Sequence, residues 1–123
     1  GMRALVVDDS AVMRKVLTGA LNRASINEVD QAADGQEAVT ACGQAEYDLV
    51  LMDWNMPNML GIDAVKAIRA SGKTMPIIMV TTEAEKSRVL DALKAGANNY
   101  VIKPFEPATI VSKIQEVLNK AAG

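Results

Sequence analysis

The sequence predicts an α/β fold, a five-stranded parallel sheet with helices on both faces. Three observations carry that expectation. Short apolar runs, rich in Val and Ile, recur at residues 4–7, 49–52, 77–80 and 100–102. Between and after them lie segments whose apolar residues return at helical spacing. The runs are also apolar throughout instead of alternating, as strands buried on both faces are. Strand and helix alternating in this way give a parallel sheet sandwiched by helices, (βα) five times over.

Each element has its own justification. Ala4-Leu5-Val6-Val7 predicts a first strand over 3–8. Val12, Met13, Val16, Leu17, Ala20 and Leu21 then form a helical stripe, with Asp9 or Ser10 placed to cap it. Residues 28–33 make a poorer strand, with polar Glu28, Asp30 and Gln31, which belongs at a sheet edge. Asp34-Gly35 is a turn into a helix over 36–45. Strands are expected over 48–53, 76–81 and 99–103. Thr82-Glu83-Ala84-Glu85 has the form of a capping box, with Thr82 as the cap of the fourth helix. Ile110, Val111, Ile114, Val117 and Leu118 stripe the fifth. Right-handed crossovers and the polar second strand favour the order 2-1-3-4-5, flavodoxin-like.

Composition bounds what such a domain can do. The 123 residues, half of them hydrophobic and 23% charged, amount to one ordinary globular domain. A net charge of −2 argues against nucleic acid or anionic membrane as partner. No apolar stretch approaches the roughly 20 residues that span a bilayer, and no signal peptide is recognisable. The lone Cys42 pairs with nothing inside the chain, which points to a reducing cytoplasm. Gly1 ahead of Met2 reads as an added residue. Histidine is absent altogether, so the chain holds neither a Ser-His-Asp centre nor an imidazole-ligated metal.

In a 2-1-3-4-5 sheet, sites form beyond the carboxyl ends of the strands, where strands one and three part. Those ends read Asp8-Asp9, Asp53, Thr81 and Lys103. Singly, each has a plainer use as cap, turn or solvated surface residue; together, five at matching strand ends make a site. Two carboxylates about 4 Å apart repel by about 4 kcal/mol at an effective dielectric near 20. Three in one crevice would consume much of a typical stability of roughly 5–15 kcal/mol. Such a cluster persists by protonation or by binding a cation, and an all-oxygen donor set suits Mg²⁺. A metal beside a spare carboxylate, a lysine and a hydroxyl is also what phosphoryl transfer requires, with Asp53 as nucleophile.

Val-Asp-Asp-Ser at 7–10, Met-Asp-Trp-Asn-Met-Pro-Asn-Met at 52–59, Thr81 and Lys-Pro-Phe at 103–105 resemble a response-regulator receiver domain. The similarity covers essentially all of residues 1–123 and is greatest to single-domain chemotaxis regulators. The resemblance implies that Asp53 accepts a phosphoryl group from a histidine kinase. It implies Mg²⁺ held by Asp9, Asp53 and the backbone carbonyl of Asn55, with Asp8 acting through water. Thr81 and Lys103 would contact the phosphoryl group, Tyr100 would be the aromatic switch, and the Lys103–Pro104 bond would be cis. An effector protein would dock on the fourth helix, fifth strand and fifth helix. Enzymatic turnover is not expected beyond self-phosphorylation from phosphodonors and autodephosphorylation. The resemblance also implies that Asn55 and Glu83 occupy positions that influence phosphoryl lifetime. Leu60 stands where many relatives carry an acid, and Thr82 where a small residue is usual. No linker is visible at the end of the fifth helix, which favours a stand-alone regulator over a receiver cut from a larger one with its own output domain.

Overall fold

The computed structural model describes residues 1–123, and the chain alternates strand and helix from end to end. The elements are β1 (Arg3–Val7), α1 (Ala11–Arg23), β2 (Glu28–Ala32), α2 (Gly35–Gln44), β3 (Leu49–Met52), α3 (Gly61–Ala70), β4 (Ile77–Thr81), α4 (Lys86–Ala95), β5 (Asn99–Ile102) and α5 (Pro107–Ala122). The sheet is wholly parallel, in the order β2-β1-β3-β4-β5. Polar β2 stands at one edge, as its sequence requires.

Strand residues alternate between two cores. Ala4 and Val6 of β1, Leu49 and Leu51 of β3, and Ile78 and Val80 of β4 face α1 and α5. Leu5, Val7, Val50, Met52, Ile77 and Met79 face α2, α3 and α4. Because both faces are covered, β1, β3 and β4 are apolar along almost their whole length. Met52, Met56 and Met79 fill this interior, and Cys42 is buried on α2, where burial raises its thiol pKa.

Four expectations shift. Asp8, Ala33, Asp53 and Lys103 fall one position beyond their strands, because ladder pairing stops where the chain turns into its loop. Val12 and Val16 point to solvent, at 75% and 45% exposure, while Leu17, Ala20 and Leu21 make the buried face of α1. Its inward stripe is narrower than the sequence pattern. Thr82 does not cap α4: the helix begins three residues later than that capping box predicts, at Lys86, with Glu85 as an N-cap that makes no side-chain hydrogen bond. Gly35 and not Gln36 begins α2, with Asp34 as its cap.

Candidate functional site

Parallel register brings the loops to one level. Val7 pairs with Met52 and Met52 with Met79, so the residues after β1 and β3 leave the sheet side by side. The Asp53 amide donates to Val7 O (3.0 Å) and the Lys103 amide to Thr81 O (2.9 Å), extending the ladder by one rung on each side of the rim. Asp8, Asp53 and Thr81 are buried, and Asp9 is exposed.

Asp8, Asp9 and Asp53 each offer a carboxylate oxygen within 4.8 Å of the others. Lys103 Nζ lies 2.6 Å from Asp8 Oδ2 and 3.3 Å from Asp53 Oδ2. The other oxygens are also engaged: Asp8 Oδ1 accepts from the Ser10 amide at 2.9 Å and Asp53 Oδ1 from the Trp54 amide at 2.7 Å. Burial pushes the Asp53 carboxyl above its ordinary value; Asp8 adds to this, against the opposing pull of Lys103. Burial works to lower Lys103, but its contacts with Asp8 and Asp53 outweigh it and raise the ammonium pKa. With the three acids ionised and Lys103 charged, two negative charges are left over. One divalent cation supplies that balance, and an all-oxygen donor set fits a hard one.

The loop after β3 is shaped by two residues. A Cβ on Gly61 would lie 1.7 Å from Asp53 O, so only glycine lets α3 start against the backbone of Asp53; the Gly61 amide donates to Trp54 O at 2.8 Å. Asn58, at φ +68°, donates to Asp34 Oδ2 at 2.6 Å, while Asp34 Oδ1 caps α2 through the Glu37 amide. Asp34, a turn acid by sequence, thus also anchors the Asp53 loop. Exposed Asn55 follows Asp53 by two residues on that loop. Trp54 is buried beside Asp53, with the Arg88 guanidinium 5.7 Å from its ring centre, and Leu60 is 42% exposed.

Thr81 has a structural task that its sequence context does not reveal. Its Oγ1 accepts from the Glu83 amide at 3.2 Å. Half-buried Tyr100 then donates its hydroxyl to Glu83 O at 2.6 Å, and burial raises its pKa to about 12. Thr81 and Tyr100 therefore hold the same residue of the β4–α4 loop. The Lys103–Pro104 bond is cis. Gly61, Asn58 and Arg14, which holds the Asp8 carbonyl, belong to the site although the strand-end pattern does not point to them; Asn-x-x-Gly after an acid-bearing strand is the signal for the first two.

Residues 4–115 match the family described as the response regulator receiver domain. The chain belongs to that family. A chemotaxis protein CheY homolog of Campylobacter jejuni is 46% identical, the match covering 99% of this chain and 96% of the relative. Chemotaxis protein CheY1 of Helicobacter pylori is 45% identical over 95% and 97%. Among solved structures, Vibrio cholerae CheY4 superimposes with a TM-score of 0.87 at 38% identity, covering 95% of this chain and 99% of that one. A two-component response regulator from Clostridium difficile gives 0.92 at 26% identity over the full length of both. This receiver domain is accordingly a phosphoacceptor of two-component signalling and not a classical enzyme. No helix in it is long and apolar enough to cross a membrane.

Proposed function

We propose that Asp53 is the phospho-acceptor, in a centre completed by Mg²⁺, Lys103 and Thr81. The convergence of Asp8, Asp9, Asp53, Lys103 and Thr81 on one rim carries this reading. Among the three acids, Asp8 is bound tightly through both oxygens and Asp9 is exposed. Asp53 is buried, and its Oδ2 meets only the longer Lys103 contact. That oxygen attacks the phosphorus of a phosphohistidine; the P–N bond breaks and the nitrogen keeps its electron pair. With no histidine of its own, the chain takes its phosphoryl group from a separate histidine kinase. Asp8, Asp9, Asp53 and the Asn55 carbonyl would hold Mg²⁺, which when bound offsets charge on the phosphoryl oxygens. Lys103 pairs with one such oxygen and the Thr81 hydroxyl donates to another.

Thr81 turning toward the phosphoryl group gives up the Glu83 amide, so the β4–α4 loop and Tyr100 reset together. Phosphorylation in this account shifts a pre-existing equilibrium. Leu90 and Leu93 on α4 and Ile102 on β5, each more than 40% exposed, support an effector surface on α4, β5 and α5. Relatives named as chemotaxis proteins at 45–46% identity support a chemotaxis target. Residues 1–123 act as one receiver domain in the cytoplasm, where Cys42 stays reduced.

Acetyl phosphate with Mg²⁺ tests this by intact mass. One phosphoryl group per chain should appear on the wild type and none on Asp53→Asn. Undiminished labelling of that variant would overturn the assignment.

A further inference from the structure

Arg14 is the fourth residue of α1 and points its guanidinium back across the start of the helix. Nη1 donates to the Asp8 carbonyl at 2.7 Å and Nε to Gln31 Oε1, on β2, at 2.9 Å. Two features make this placement unusual. A cation in the first turn opposes the helix dipole, and α1 has no acid there to offset it. The guanidinium also lies beside a cluster of carboxylates yet pairs with none; the ion pairs of the rim all run from Lys103. Its hydrogen bonds go to neutral oxygens.

We infer that Arg14 is a positioning residue for the loop that presents Asp8 and Asp9. The peptide carbonyl it grips joins those two acids directly. Asp8 is otherwise fixed by Lys103 and the Ser10 amide, whereas Asp9 is exposed and its side chain has no hydrogen-bond partner. The direction of the Asp9 carboxylate depends on the peptide that Arg14 holds. The rigid fork is what permits the bridge: Nε and Nη1 reach β2 and the loop at once, which a lysine ammonium on its flexible stem does not reproduce. Spending the donors on a carbonyl and an amide oxygen leaves the Asp9 carboxylate without a cationic partner. Local preference is broken where function sits.

This inference rests on the Mg²⁺ site proposed above, and the sign of one effect separates positioning from charge. Were Arg14 only a nearby positive charge, its removal would leave Mg²⁺ binding unchanged or tighten it. As a positioning residue, its removal must weaken binding even though a repelling charge has gone. Mg²⁺ is titrated calorimetrically into wild type, Arg14→Ala, Arg14→Lys and Gln31→Ala, with circular dichroism confirming that each is folded. Arg14→Ala should bind roughly tenfold more weakly, the lower end of what outer-shell partners contribute. Arg14→Lys should recover only part of that, and Gln31→Ala, at an exposed position, should show a smaller loss of the same sign. Equal or tighter binding by Arg14→Ala with wild type binding normally overturns the role of Arg14 alone. If Arg14→Ala does not fold, Gln31→Ala decides, and no loss there overturns it. Absence of Mg²⁺ binding by wild type overturns both the site and this inference.

Discussion

Where β1 runs into α1, the chain is pinned on both sides of Asp9. The Asp8 amide bonds Ala32 O, the Ser10 amide bonds Asp8 Oδ1, and Ser10 Oγ caps α1 through the Met13 amide. Arg14 holds the carbonyl between the two acids. Where β4 runs into α4, the Glu83 amide rests on Thr81 Oγ1 and the Glu83 carbonyl on Tyr100. The helix that follows lacks a side-chain cap and buries only Ala92, against three residues in α1. Both loops reach the same rim, yet one is built to hold acids still and the other hangs from the two side chains expected to move. Few buried contacts and an uncapped start are the physical marks of a segment that opens at low cost.

The largest effects are expected on the fixed side of the rim, which includes the loop after β3. Gly61→Ala drives a methyl to within 1.7 Å of Asp53 O and should cost more than about 3 kcal/mol in urea denaturation. A loss below about 1 kcal/mol would mean that this loop yields easily. Lys103→Met leaves Asp8 and Asp53 buried without their cation; a loss of about 3–5 kcal/mol is expected, with Mg²⁺ restoring part of it.

Asp53→Asn has the opposite sign. A folded-state pKa raised above the ordinary 3.8 means the folded chain holds that proton more tightly than the unfolded one. This contribution is fully present below pH 3.8 and is lost as pH rises through the raised value. At neutral pH without Mg²⁺, Asp53→Asn should therefore melt a few degrees higher, as about 1 kcal/mol would give. The gain should vanish in acid. A lower melting temperature would show the carboxylate to be stabilised, not crowded. The smallest effects separate the two loops directly. Ser10→Ala removes a working cap and should cost about 1 kcal/mol, whereas Thr82→Ala should stay within about 0.5 kcal/mol. Equal losses would erase the asymmetry.

The sheet was legible because strands buried on both faces leave continuous apolar runs, and because the polar Glu28, Asp30 and Gln31 of β2 announce an edge. The rim was legible for the same reason: once strands are placed, Asp8, Asp53, Thr81 and Lys103 follow from where they end. The start of α4 was not. Thr82 and Glu85 satisfy the local capping pattern, but the Glu83 amide and carbonyl are claimed by Thr81 and Tyr100. Tertiary bonds outcompete a local one, and no window of sequence contains both partners. Val12 and Val16 misled for a related reason, since a helical stripe does not say how much of its width the sheet will cover. Gly61 and Arg14 act through backbone carbonyls, which carry no residue identity; the Asn-x-x-Gly spacing hints at Gly61, and nothing comparable marks Arg14.

Borohydride mapping of the phosphorylated chain locates the phosphoryl group on a single residue. Reduction of an aspartyl phosphate converts that residue to homoserine, which peptide mass spectrometry locates. Conversion is expected at position 53 and no other. Homoserine at position 8 or 9, or nowhere, would contradict it.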